Sequence, residues 1–111
     1  MVLTIVASNS GNGDVFYLAS THACHRLSER IPHLAHADIP RLQRILVALC
    51  FQGRRVPVTP WVIGQYYLEA TEHRSGSDLI LAMQSLPERP GTSVVRTVLW
   101  PDEFALRNRP A

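Results

Sequence analysis

Lysine is missing altogether from this chain of 111 residues, and all eleven of its lysine-or-arginine positions are arginine. A GC-rich coding bias accounts for such a skew, yet the surface inherits arginine physics: planar guanidinium groups form bidentate pairs and stack on rings, which suits interfaces. Cysteine is scarce as well. Cys24 and Cys50 lack framework spacing, which excludes a disulfide scaffold and makes a cytoplasmic protein with reduced thiols the expectation. The longest apolar run, residues 45–51, is far too short to span a bilayer, and neither end carries a secretory pattern. No glycine-rich phosphate fingerprint, paired-cysteine zinc signature, nucleophile motif, internal repeat or low-complexity segment occurs. The net charge of +2 is mild and the arginines are dispersed apart from Arg54 and Arg55, so no polyelectrolyte footprint for nucleic acid is visible.

What is present is the composition of one folded domain over residues 1–111, 46% apolar and 18% charged. Residues 2–7 predict a short strand, and residues 8–13 a loop of turn formers. Residues 14–30 admit two readings. Val15, Phe16, Leu18, Ala19, Ala23 and Leu27 recur at helical spacing behind Asp14, which predicts a helix ended by Pro32; residues 15–19 also suit the second arm of a hairpin followed by a helix. The helix is the preferred reading. Asp38 and Pro40 open a clearer helix, stopped by Gly53 and apolar on every side over residues 45–51, so it must be covered from more than one direction. Thr59 and Pro60 cap a helix predicted over residues 61–73 with Gly64 inside it, and Ser77 and Asp78 start another that Pro87 breaks after Leu86. Residues 93–100 alternate as a strand, and residues 101–111 form a partly ordered tail with one docked turn. The fold class is α+β: a small single domain of three to four helices with a short terminal β-sheet, in which the strands near 2–7 and 93–100 pair. Two strands make a marginal sheet, so a homodimer that continues the sheet or seals the helix over residues 38–52 is expected.

Four of the five histidines and one cysteine lie between His22 and His36. His22, Cys24, His25, His33 and His36 are therefore a candidate zinc set, although one cysteine and the interruption by Pro32 match no standard template. Cys24, His25 and Asp38 are the clustered candidates for catalysis, but adjacent helical residues point about 100° apart, so no enzyme is expected. The loop Ser10-Gly11-Asn12-Gly13 resembles an anion cradle, yet Asp14 would repel the anion and no lysine follows. Helices flanking Gly53 suggest a helix-turn-helix with Arg54 and Arg55 on phosphates; the long connection and the acidic Glu69 and Glu72 oppose it. Phe51, Trp61, Tyr66, Tyr67 and Trp100 with nearby arginines have the composition of binding hot spots. The sequence thus points to a non-enzymatic regulatory protein of a bacterial cytoplasm, without cofactor or membrane contact. Its expected partner is another protein, such as a transcriptional regulator that it antagonises, met through Leu46, Leu49, Phe51, Arg54, Arg55, Tyr66 and Tyr67. A zinc protein and a small DNA-binding protein are the alternatives.

Overall fold

Period-two alternation governs more of this chain than helical rhythm does. In the computed structural model, which describes the backbone of residues 3–9, 14–58 and 62–107 and the side chains of 15–58 and 62–106, six strands and three helices follow one another. Their order is β1 (Leu3–Asn9), β2 (Asp14–Ser20), α1 (Thr21–Arg30), a 3-10 turn (Pro32–Leu34), α2 (Ile39–Gln52), β3 (Arg54–Val56), β4 (Gln65–Glu72), β5 (Ser77–Ser85), β6 (Thr92–Leu99) and α3 (Pro101–Arg107). The strands form one sheet in the order β1-β2-β6-β5-β4-β3. Five strands are long, and the three-residue β3 closes one edge. Only β2 and β6 run parallel, with Tyr17 beside Ser93 and Ala19 beside Val95.

This overturns the short terminal sheet expected from the sequence. The sheet is central, and β1 and β6 are not neighbours because β2 lies between them. Three segments expected to be helical are strands. Residues 14–20 form the second arm of a hairpin, with Asn9 opposite Asp14, before α1 begins at Thr21. Residues 65–72 form β4, where Leu68, Ala70 and Glu72 are buried and Glu69 and Thr71 are exposed. Residues 77–85 form β5, whose stretch from Leu79 to Met83 is buried on both faces, and such a run lacks visible alternation. Its leucines, alanine and methionine are good helix formers, so burial between β4 and β6 has overridden local propensity. Thr59, Pro60 and Trp61 lie outside the described residues. Gly64, read as a helix-interior glycine, is a turn residue with φ +79°, where its carbonyl accepts from the Ser85 N–H at 2.7 Å.

Both long helices are capped as their sequences require. Ser20 Oγ accepts from the Ala23 N–H at 3.1 Å and opens α1, while Asp38 Oδ1 accepts from the Arg41 N–H at 2.9 Å and opens α2. The same Ser20 hydroxyl donates to the Arg96 carbonyl at 3.3 Å, fixing the start of α1 to β6. Within α2 the buried Gln43 amide donates to the Ala19 carbonyl, which anchors the helix over β2. Leu42, Leu46, Leu49 and Cys50 of α2 pack with Cys24 and Leu27 of α1 and with Leu68, Leu81, Met83 and Val95 of the sheet. The sheet and α1 together cover most of the apolar run, while Ala48 and Phe51 are exposed. Gly53 ends α2 in extended backbone, and a Cβ there would stand 3.1 Å from the Leu49 carbonyl oxygen and 3.2 Å from that of Glu69. Glycine lets α2 turn directly into β3.

At the other end Pro101–Arg107 form a helix of their own. Pro101 sits in its first turn, and the Trp100 N–H donates to Glu103 Oε1 at 2.9 Å, one half of a capping box. Arg30 donates to the same carboxylate at 2.7 Å and lies over the Trp100 ring, tying α1 to α3. Phe104 then meets Tyr67 with ring centroids 4.9 Å apart.

Burial decides what charge does along α2. Leu46→Asp and Leu49→Asp should each cost on the order of 4 kcal/mol and leave the chain largely unfolded. Ala48→Glu should change stability by no more than about 0.5 kcal/mol. Urea titrations followed by circular dichroism would separate these outcomes; folded Leu46→Asp protein would contradict the packing.

Candidate functional site

Alternation also decides which aromatic residues meet. On β4, Tyr66 shares the helix-bearing face with Leu68 and Ala70, whereas Tyr67 shares the opposite face with Glu69. Consecutive tyrosines therefore serve different surfaces. Tyr66 reaches across β5, and its hydroxyl is 2.7 Å from Ser93 Oγ on β6. The parallel register places Tyr17 of β2 next to that serine, on the same face. Phe51, in the last turn of α2 and 38% exposed, meets the Tyr17 ring edge-on with centroids 4.8 Å apart. Arg55 of β3 lies over Tyr66, its guanidinium carbon 4.1 Å from the ring centroid.

Tyr17, Phe51, Arg55, Tyr66 and Ser93 thus make one partly open cluster where α2 leaves the sheet. Burial raises the Tyr17 hydroxyl, helped by Tyr66 and Cys50 and opposed by Arg55. Burial likewise raises Tyr66, against the Ser93 hydrogen bond and Arg55, which lower it. Both phenols stay protonated hydrogen-bond donors at neutral pH. The cluster brings together two phenol hydroxyls, the Ser93 hydroxyl, the Phe51 ring and one cation. Beside the cluster a cleft of about 310 Å³ is lined by Arg55, Val56, Pro57, Val58, Gln65 and Tyr66. Val62 and Ile63, 51% and 81% exposed, lie just before β4.

Three residues singled out in the sequence, Phe51, Arg55 and Tyr66, are brought together here. Others are not. Leu46 and Leu49 lie in the core, Tyr67 packs on Phe104, and Arg54 is held by Glu69 at 2.6 Å on the exposed side of β3 and β4. Tyr17 and Ser93 carried no local signal, because only the pairing of β2 with β6 makes them neighbours. Burial of Leu46 and Leu49 within one chain, and a six-stranded sheet, remove the two grounds on which a homodimer was expected. The second helix of the supposed helix-turn-helix is β4.

The histidine-rich segment does not converge. Cys24 is in the core while His25 and His36 are exposed. His22 contacts the Thr97 hydroxyl at 3.3 Å, and His33 Nε2 bonds Glu72 Oε1 at 2.9 Å. Among the described residues no three His, Cys, Asp or Glu side chains lie close enough to hold a metal ion. Burial pushes the Cys24 thiol up to about 11 and the Cys50 thiol to about 12. Neither supplies a thiolate at neutral pH. No described helix is long and apolar enough to cross a membrane.

Glu72 works as a tether. It is buried at the end of β4, where the Arg74 and Ser75 N–H groups donate to it at 3.2 and 2.9 Å and close the turn into β5. Burial alone would raise its carboxyl, but His33, Ser75 and Arg74 outweigh that and hold it at about 2. The ionised form is favoured in the folded chain, so the tether stabilises above the ordinary value of 4.5 and is lost as pH falls toward about 2. Glu72→Gln should cost on the order of 2 kcal/mol at neutral pH, with the difference from wild type vanishing through that acid window. Denaturant melts from pH 7 to pH 2 check this; a constant difference would contradict it. Thiol reagents at pH 7.5 should leave both cysteines of the folded protein unmodified and label both after unfolding; rapid native labelling would refute their burial.

No family model matches the chain, and neither does any curated protein or solved structure.

Proposed function

We propose that this chain is a small non-enzymatic interaction protein of a bacterial cytoplasm that binds and modulates another protein through the surface formed by Tyr17, Phe51, Arg55 and Tyr66. The observation that carries the reading is the Arg55 guanidinium stacked on Tyr66 beside the Tyr17–Phe51 pair. Tyrosine and arginine are the residue types that dominate binding energy, and stacking holds this arginine ready before any partner arrives. A cation–π contact at such a site is worth about 1 kcal/mol and gains strength when a partner excludes water. Covering the exposed part of Phe51 adds about 1 kcal/mol more.

Among the described residues no carboxylate answers Arg55, whereas Glu69 answers Arg54. An oriented cation stacked on Tyr66, with no carboxylate partner among the described residues, suits a partner surface that carries negative charge. A regulator of transcription whose binding or dimerisation surface is masked in this way is the target class the reading favours, and inhibition by occlusion requires no catalytic group. The rings, the phenols and the serine hydroxyl of the cluster are groups that suit binding.

The test is affinity capture from lysate of the source cells, with bound proteins identified by mass spectrometry. Arg55→Glu and Phe51→Ser should each lose the captured partner by about tenfold or more while keeping the wild-type circular dichroism spectrum. Arg89→Glu, on the exposed turn before β6, should retain it. Equal capture by all four proteins would sink the proposal.

A further inference from the structure

We infer that this surface is engaged by strand addition, in which an extended acidic segment of the partner pairs with β3 and sets a carboxylate on Arg55. The inference rests on the preceding reading that the aromatic and arginine surface binds a protein, and it specifies the partner's chemistry. Among the described residues the sheet ends at β3, which is paired to β4 through Arg54–Glu69, Arg55–Leu68 and Val56–Tyr67, with no described strand on its other side. The backbone groups of β3 that point to that side, which belong to alternate residues, make no further backbone hydrogen bond among the described residues.

Charge and cavity define what adds. Arg55 projects over Tyr66 on the helix-bearing face and is exposed, so an acidic side chain on that face of an incoming strand would lie opposite it. The cleft of about 310 Å³ bounded by Val56, Pro57, Val58 and Tyr66 adjoins the same arginine and takes an apolar side chain of the same segment. Pairing at β3 alone is short, because the strand has three residues and Pro57 follows without an N–H. Affinity must then come from the carboxylate and the apolar side chain, not from a long hydrogen-bond ladder.

A second copy of this chain is the competing occupant, and charge argues against it. Two-fold antiparallel pairing of β3 centred on Arg55 sets Arg55 against its own copy, and centring one half-step earlier sets Arg54 against Arg55. Like charges directly opposite one another destabilise a strand pair. Short length, paired arginines and a flanking proline also guard an edge against unselected pairing. The same guards admit an acidic strand.

Two capped peptides test this, one alternating valine with glutamate and the other valine with lysine. In ¹H–¹⁵N titrations of the full chain, the glutamate peptide should shift the amides of Arg54, Arg55 and Val56 and bind at least about tenfold more tightly than the lysine peptide. Arg55→Glu should reverse the preference, and the glutamate peptide should weaken as salt rises. Equal binding of the two peptides, no binding of either, or shifts confined to other elements would overturn strand addition. The capture assay stays independent: partner loss in Arg55→Glu with indifferent peptides means that the surface is right and the strand mode wrong, whereas retained capture removes the surface itself.

Discussion

Along the parallel seam from Phe16 beside Thr92 to Ala19 beside Val95, the β1–β2 hairpin joins the antiparallel strands that follow α2, and this contact sets the position of everything else. The chain leaves β2 at Ser20, whose hydroxyl holds both the first turn of α1 and the Arg96 carbonyl of β6. From there α1 and α2 can only lie on one face of the sheet. Gln43 reaching the Ala19 carbonyl and Gly53 passing tightly against β4 then fix where α2 begins its contact with the sheet and where it ends. Without the seam, the apolar faces of both helices would lack the strands that bury them.

The surface cluster follows from the same geometry. Tyr17 arrives beside Ser93 because β2 runs parallel to β6, and Tyr66 reaches that serine from the far side of β5. Phe51 closes on Tyr17 because α2 stops at Gly53, and Arg55 stacks on Tyr66 because β3 begins directly after it. A rigid sheet and a capped helix thus hold rings and a cation in place before binding, which lowers the ordering cost that association must overcome. The opposite end of the sheet has a different purpose: Glu72, gripped by His33 and the turn after β4, locks the segment between the helices to the sheet.

How much of this was legible depended on whether a signal was local. Asp38, Pro40 and Gly53 bracket α2 in the sequence itself, and the alternation near residues 93–99 marks β6, since caps and period-two patterns are written in neighbouring residues. β5 shows no alternation in its sequence because Leu79 to Met83 is buried on both sides, and β2 resembles a helix because its apolar spacing runs on into α1. Thr59, Pro60 and Gly64 mimic a capped helix ahead of β4, while the turn there uses the positive φ of Gly64. Phe51, Arg55 and Tyr66 stood out by residue type. Tyr17 and Ser93 did not, because long-range register alone brings them there, and the burial of Leu46 and Leu49 depends on strands whose sequences resemble helices. The histidine crowd between His22 and His36 was close in sequence but dispersed across a helix, a turn and a loop, so proximity along the chain carried no shared site.

Nuclear Overhauser contacts in the free, full-length protein address the seam and the cluster together. The account requires cross-peaks between the Tyr17 and Phe51 rings, between Tyr66 and Ser93, and between backbone protons of Tyr17 and its β6 neighbours. Spectra in which β1 rather than β2 borders β6, or in which the Tyr17 ring meets neither Phe51 nor the Tyr66 end of the sheet, would contradict it.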